Sequence, residues 1–190
     1  MSPAFLERLR GRDPDALAEA IREHARPLFR AARALGFDEP ASEDMVQDVF
    51  ATFLERLDQF EGRSQLRTWL FGILHRKAQE RRRANVRDSQ ADPIDEIFES
   101  RFDQRGHWER PPADLERLFL SRELGELIQH CMEGLPANQR EVFVLREVEG
   151  METVEICKIL DVSVTHLGVL FHRARTRLRE CLESKGWTRP

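Results

Sequence analysis

Tyrosine is absent from these 190 residues, and glycine (10), proline (9) and cysteine (3) are few and scattered. A β-sandwich leans on aromatic strand residues and on frequent Gly/Pro turns, so this composition argues against one. Short helices with charged outer faces suit it better, since 34% of the residues are charged. No long run of uninterrupted apolar residues occurs, which argues against a membrane span and against direct membrane insertion. Met1-Ser2-Pro3-Ala4-Phe5-Leu6-Glu7 has no basic start followed by an apolar stretch, so no secretory signal is expected. Cys131, Cys157 and Cys181 form no CxxC pair, which argues against a zinc ribbon. An odd number of cysteines without an export signal predicts reduced thiols in a cytoplasmic chain, packed as small apolar groups. The six histidines form no HExxH, and no acidic metal cluster, Gly-rich phosphate loop or Ser/His/Asp spacing is present. An enzyme such as a nuclease is thus disfavoured, and neither cofactor nor metal is expected.

What is present is uneven charge. The net charge of −4 alone discourages a nucleic-acid role. Residues 1–62 hold 8 basic and 13 acidic groups, but residues 63–87 hold 8 basic groups and one acid, Glu80. Residues 88–117 return to 4 basic and 9 acidic. Residues 118–190 hold 10 basic and 11 acidic, with Arg173, Arg175, Arg177 and Arg179 grouped. Two basic patches in an acidic frame can bind phosphate locally, because salt confines each field to about 8 Å. The acidic remainder discourages loose binding to any DNA.

Helical periodicity runs through most of the chain. Asp13-Pro14 opens a helix carrying Leu17, Ile21, Leu28 and Leu35, and Gly36 stops it. Ser42 is the expected N-cap of the next, with Met45, Val46, Val49, Phe50, Phe53, Leu54 and Leu57 on one stripe. After a loop at 60–64, residues 65–87 form a helix with Leu66, Trp69, Leu70, Ile73 and Leu74 inward and an Arg-rich far end. Between 88 and 114 the period fades amid prolines and acids, with partial order expected at Ile94, Ile97 and Phe98. That length favours a linker between domains. Helical spacing resumes at 115–133, 139–148, 154–160 and 164–183. The fold class read from this is all-α. Two small helical domains are joined by an acidic linker: 1–88, 89–114 as linker, and 115–190.

The second domain contains a candidate helix-turn-helix from 153 to 179. Ile156, Ile159 and Leu160 face inward on its first helix, which Thr153 is placed to cap. Val162 plugs the turn, and Leu167, Leu170 and Phe171 face inward on the second helix. Thr165, His166, Val169, His172 and Arg173 are then expected outward, as on a recognition helix, with Arg173, Arg175, Arg177 and Arg179 suited to phosphates. A plain helical hairpin shares the apolar spacing. The three-residue turn, the alternating arginines and the lack of acids from 162 to 179 favour the helix-turn-helix.

Glu43-Asp44-Met45-Val46-Gln47-Asp48-Val49-Phe50 and Arg67-Thr68-Trp69-Leu70-Phe71-Gly72-Ile73-Leu74 resemble the second conserved region of bacterial sigma factors. Leu135-Pro136-Ala137-Asn138-Gln139-Arg140-Glu141-Val142-Phe143, Glu155-Ile156-Cys157-Lys158-Ile159-Leu160 and His172-Arg173-Ala174-Arg175-Thr176-Arg177-Leu178-Arg179 resemble the fourth. Order, spacing and acidic linker are similar to the extracytoplasmic-function (ECF) group, which keeps only these two regions.

The resemblance implies a non-enzymatic subunit that binds core RNA polymerase and directs it to promoter DNA. It implies that Asp44, Gln47, Asp48, Phe50 and Phe53 dock on the largest polymerase subunits. It implies that Arg63 and Ser64 sit in the loop that holds a flipped base, and that Arg67, Arg76, Lys77 and Arg81 line the −10 strand, a role that basic and aromatic surfaces serve. Trp69 belongs to that set too, although its place on the apolar stripe reads as core. Thr165, His166, Val169, His172, Arg173, Arg175 and Arg177 are implied at the −35 element. One departure is Gly168-Val169-Leu170, where many relatives carry a basic and a small polar residue, so guanine readout by Arg is not available there. The resemblance also implies an anti-sigma partner, commonly a small zinc-binding protein. The competing class is a stand-alone helix-turn-helix regulator with 14–88 as a dimerisation or sensor domain; a basic helix beside Trp69 has no use there.

Overall fold

The computed structural model describes residues 2–85 and 122–186. The linker and the apolar positions Leu115, Leu118 and Phe119 lie outside the described residues, as do Ile94, Ile97 and Phe98. Every regular element among the described residues is helical, in keeping with the all-α reading.

Helix α1 (Pro3–Arg10) was not expected from the sequence. Ser2 caps it, accepting from the Phe5 N–H at 3.2 Å. Helix α2 (Pro14–Ala34) opens as anticipated, with Asp13 accepting from the Ala16 N–H at 2.8 Å. That bond, and the Arg8 guanidinium at 2.9 Å, hold the Asp13 carboxyl below its usual range. Leu28 and Leu35 are buried as expected, but most of the buried face of α2 was not anticipated. Ala16, Ala20, His24, Leu28, Ala31 and Ala32 form it, and Ile21 is left 37% exposed. Small alanine side chains bring neighbouring helices close, so the tight face outranks the leucine spacing.

Helix α3 (Glu39–Glu55) begins three residues ahead of Ser42. Asp38 is the cap, accepting from the Ala41 N–H at 2.9 Å, and Pro40 fits the first turn. Ser42 is buried inside the helix and donates to the Phe37 carbonyl at 3.3 Å. Met45, Val49, Phe53 and Leu57 are fully buried, as the stripe predicts.

A single 3₁₀ turn (Leu57–Gln59) and a loop lead to α4 (Leu66–Asn85). Helix α1 braces that loop. Arg10 donates to the Phe60 carbonyl at 3.1 Å. Gly62 has φ +73°, and a Cβ on it would stand 2.5 Å from Leu6 Cδ2. The positive φ favours glycine there, and the Leu6 side chain would have to shift to admit a Cβ.

Helix α5 (Arg122–Glu133) precedes α6 (Ala137–Phe143), which runs into a π-helical turn (Val144–Val148) halted at Gly150 with φ +59°. Helix α7 (Thr153–Leu160) and α8 (Val164–Ser184) follow. Thr153 does not cap α7: its hydroxyl accepts from Arg146, while the Glu155 carboxylate reaches back to the Glu152 N–H at 3.2 Å. Asp161 takes the left-handed conformation at φ +54°, and Ser163 caps α8 through the His166 N–H at 3.2 Å. A helix, a three-residue turn and a second helix are thereby formed.

The described residues form two compact units. One holds α1–α4 together with the 144–162 segment; the other holds α5, α6 and α8. In the first, α3 and α2 pack on α4, and α7 packs on α4 as well. Leu70, Phe71, Ile73, Leu74 and Ile156 are buried there, each contributing roughly 1.5–3 kcal/mol. In the second, α5 and α6 pack on α8 around Ile128, Val142, Phe143, Leu167, Leu170 and Leu178. Cys131 of α5 and Cys181 of α8 are disulfide-bonded with Cα atoms 5.8 Å apart, leaving Cys157 as the free thiol. This corrects the expectation of three reduced thiols. The pairing depends on two helices meeting across 50 residues of sequence, which spacing alone does not reveal.

Candidate nucleic-acid and polymerase interface

Helix α4 and its preceding loop carry the first basic patch. Arg63 is exposed and pairs with Glu61, and Ser64 is half-buried. Arg76 is exposed, and Lys77 lies 4.0 Å from Glu80. Arg81 turns back onto α3, donating to the Ala41 carbonyl at 2.7 Å and to Asp48 at 2.8 Å. One expected DNA contact and one expected polymerase contact therefore hold each other in this structure, as a tie between two helices. Trp69 is half-buried, stacked on Phe60 with centroids 4.8 Å apart and edge-on to Phe53 at 5.6 Å.

Arg67 is the most constrained member. It donates to Glu149 Oε2 at 2.9 Å and to the Glu149 carbonyl, and its guanidinium lies over the Phe71 ring. Arg30 of α2 donates twice to Glu149 Oε1, at 3.1 and 2.9 Å. The Glu149 carboxylate is fully buried beneath these two arginines. Thr68 donates to Glu155 alongside. A cleft of about 410 Å³ opens between Arg63, Ser64, Gln65 and Thr68 on one wall and Glu152, Glu155 and Lys158 on the other. Two acids, Glu152 and Glu155, and two bases, Arg63 and Lys158, line this cleft, and Arg67 is occupied by Glu149. Behind Arg67, burial pushes the His24 imidazole below its ordinary value; Glu23 opposes the shift and Arg67 adds to it.

On α3, Asp44 and Gln47 are exposed and Asp48 is half-exposed, while Phe50 and Phe53 are 8% and 0% exposed. Both phenylalanines are core side chains here. The outer face of α3 is acidic and polar, without a presented ring at 50 or 53.

On α8, Thr165 and His166 are exposed, as expected outward, while Val169 is half-buried. His172 and Arg173 are not outward: they are 3% and 7% exposed. His172 Nδ1 lies 3.1 Å from the Thr176 hydroxyl, and Thr176 is buried too. The middle of α8 is covered on more than the one apolar face that period alone assigns. Arg175 lies over the Phe171 ring, and Arg177 donates to Gln139 at 3.3 Å. Among the described residues no group of His, Cys, Asp or Glu is placed to hold a metal, and no helix is long and apolar enough to cross a membrane.

Residues 20–88 match the family described as Sigma-70 region 2, and residues 125–178 match Sigma-70, region 4. A probable RNA polymerase sigma factor of Haemophilus influenzae is 31% identical over 151 residues, covering 76% of this chain and 78% of the relative. The ECF RNA polymerase sigma-E factor of Escherichia coli K12 is 32% identical over 132 residues, covering 70% and 69%. The chain belongs to the ECF sigma factors. It is therefore a non-enzymatic transcription initiation factor, and the stand-alone regulator is not favoured.

Two solved structures share the sigma factor's fold. CnrH, solved with the cytosolic domain of CnrY, superposes with TM-score 0.69 at 23% identity, covering 95% of this chain and 96% of CnrH. The sigma factor RpoE of Bartonella quintana, solved with the anti-sigma factor NepR, gives 0.66 at 24%, covering 87% and 96%.

Sequence reading missed Glu149, Arg30, Glu155 and His24 in this sigma factor. The Glu149 pairs span 119 and 82 residues, and no local pattern marks an acid beside a helix stop as a buried anchor. His24 carried a signal, since it falls four residues after Ala20 and before Leu28 on the tight face of α2.

Proposed function

We propose that this sigma factor works in the cytoplasm and divides its labour between the regions 1–88 and 115–190. Asp44 and Gln47 on the exposed face of α3 meet basic groups of core polymerase. Arg63, Ser64, Arg76 and Lys77 take the opened −10 strand, and Arg67 joins them when it leaves Glu149. Thr165 and His166, at the exposed N-terminal turn of α8, read the −35 duplex, with Arg175 and Arg177 nearby for phosphates. The observation that carries this reading is the basic run from 63 to 83 with a single acid on one helix and its loop, beside a ring-stacked tryptophan. Such a surface suits unstacked single strands.

Control follows from the same surfaces. A small anti-sigma protein covering the acidic face near 48–57 and the fourth region would hide the polymerase contacts. A zinc-binding partner is the form we favour. The test is reconstitution with core polymerase. Holoenzyme should make promoter thymines near the start site reactive to permanganate, and the isolated chain should not. Tight protection of one duplex sequence by the chain alone, at physiological salt, would overturn the reading. Purification from non-inducing cells should bring down a stoichiometric small protein in place of polymerase; recovery of only free or polymerase-bound chain would remove the anti-sigma element.

A further inference from the structure

We propose that Cys131 and Cys181 form a reversible thiol–disulfide site, through which an oxidant sets the rigidity of the fourth-region helices. The pair joins α5 to α8 within one compact unit, and its Cα separation of 5.8 Å falls in the span that a disulfide bridges without backbone movement. The two residues differ in access. Cys131 is 3% exposed, and Cys181 is half-exposed near the last turn of α8. Cys157 sits on α7 in the other unit and is unpaired.

In the cytoplasmic setting proposed above, thiol pools keep permanent disulfides rare, and those that form there act as sensors or catalysts. A pair held at bonding distance in such a chain is therefore poised to cycle. The forward step uses a peroxide. The Cys181 thiolate attacks one peroxide oxygen; an S–O bond forms, the O–O bond breaks, and hydroxide leaves as water after protonation. The Cys131 thiol then attacks the Cys181 sulfenic sulfur; the S–S bond forms, the S–O bond breaks, and a second water departs. Two thiols lose two electrons and two protons to one hydrogen peroxide. The return step is attack by a small-molecule thiolate on Cys181, then displacement of that mixed disulfide by a second thiolate.

The mechanical consequence follows from what the bridge encloses. Its loop runs through α6, the π turn, α7 and the turn into α8. Oxidation thus joins α5 to α8 near their C-terminal ends and restrains fraying of both helices. Thr165 and His166, at the opposite end of α8, are not touched by the chemistry.

The test uses the full chain, reduced with dithiothreitol and freed of reductant, then treated with hydrogen peroxide and quenched by acid and alkylation. Non-reducing peptide mapping should show a Cys131–Cys181 peptide with Cys157 alkylated, and millimolar glutathione should return all three to thiols. Amide exchange of α5 and α8 should slow by at least about tenfold on oxidation. The Cys181→Ser chain should show no peroxide effect on exchange, and reduced wild type serves as a reference that needs no substitution. Failure of the pair to form, a crosslink through Cys157 instead, resistance to glutathione, or equal exchange in both states would each overturn the proposal. None of these readouts depends on where the sigma factor works in the cell.

Discussion

Glu149 creates an energetic asymmetry that substitution can expose. Its carboxylate side chain is 0% exposed, whereas Arg30 and Arg67 are 53% and 33% exposed. Replacing both arginines by alanine strands a buried anion, a change worth roughly 3–5 kcal/mol. Glu149→Ala leaves no buried charge behind. Both guanidiniums regain water, and the loss is limited to charge-assisted bonds of roughly 1–2 kcal/mol net. The single acid should therefore be cheaper to lose than its two partners. Urea unfolding followed by Trp69 fluorescence, with Trp108→Phe and Trp187→Phe to silence the other tryptophans, measures both. The same acid change should release Arg67. Affinity for a short single-stranded DNA should rise, and the salt dependence should steepen by about 0.7 in log–log slope for one added phosphate contact. If Glu149→Ala is as damaging as the double arginine change, or leaves the slope untouched, the reasoning about a buried anchor holding a DNA-facing arginine is refuted.

Three further outcomes are expected. The folded-state pKa of His24 lies below its ordinary 6.5, so the unfolded chain binds more protons in acid. Stability should be full above that value and fall as pH drops through it, and His24→Leu should flatten this part of the pH–stability curve. Gly62→Ala should cost about 1–2 kcal/mol because it strains the backbone and meets Leu6; Leu6→Ala in the same chain should recover the steric share alone, as thermal melts would show. His166→Ala should weaken −35 duplex binding by holoenzyme, by about 1 kcal/mol, and spare strand opening. Arg76→Ala with Lys77→Ala should do the reverse, with band-shift and permanganate assays separating the two; equal losses in both assays would show that the patches do not divide the work.

Much of the fold was legible because it rests on local rules. The Asp13–Pro14 start, the α3 stripe and the turn at Asp161 each follow from residues within a few positions of one another. Ser42 misled because two plausible caps lie four residues apart and Pro40 fits only the helix that starts earlier. His172 and Arg173 misled because period assigns one covered face, while α8 is covered on more than one. Arg81 could not be distinguished by sequence from a phosphate contact, since its partners on α3 are 33 and 40 residues away. Residue chemistry marks which arginines could face a phosphate; which of them are already engaged is a property of tertiary packing.

The short helix α1 has a practical consequence. Leu6 fills the space left open at Gly62, and Arg10 holds the carbonyl of Phe60. The loop that carries Arg63 and Ser64, proposed above to take the opened −10 strand, is thus shaped by side chains some fifty positions earlier in the chain. On that proposal, a purification tag joined ahead of Ser2, or removal of the first ten residues, should alter promoter opening while leaving every residue proposed to touch DNA unchanged.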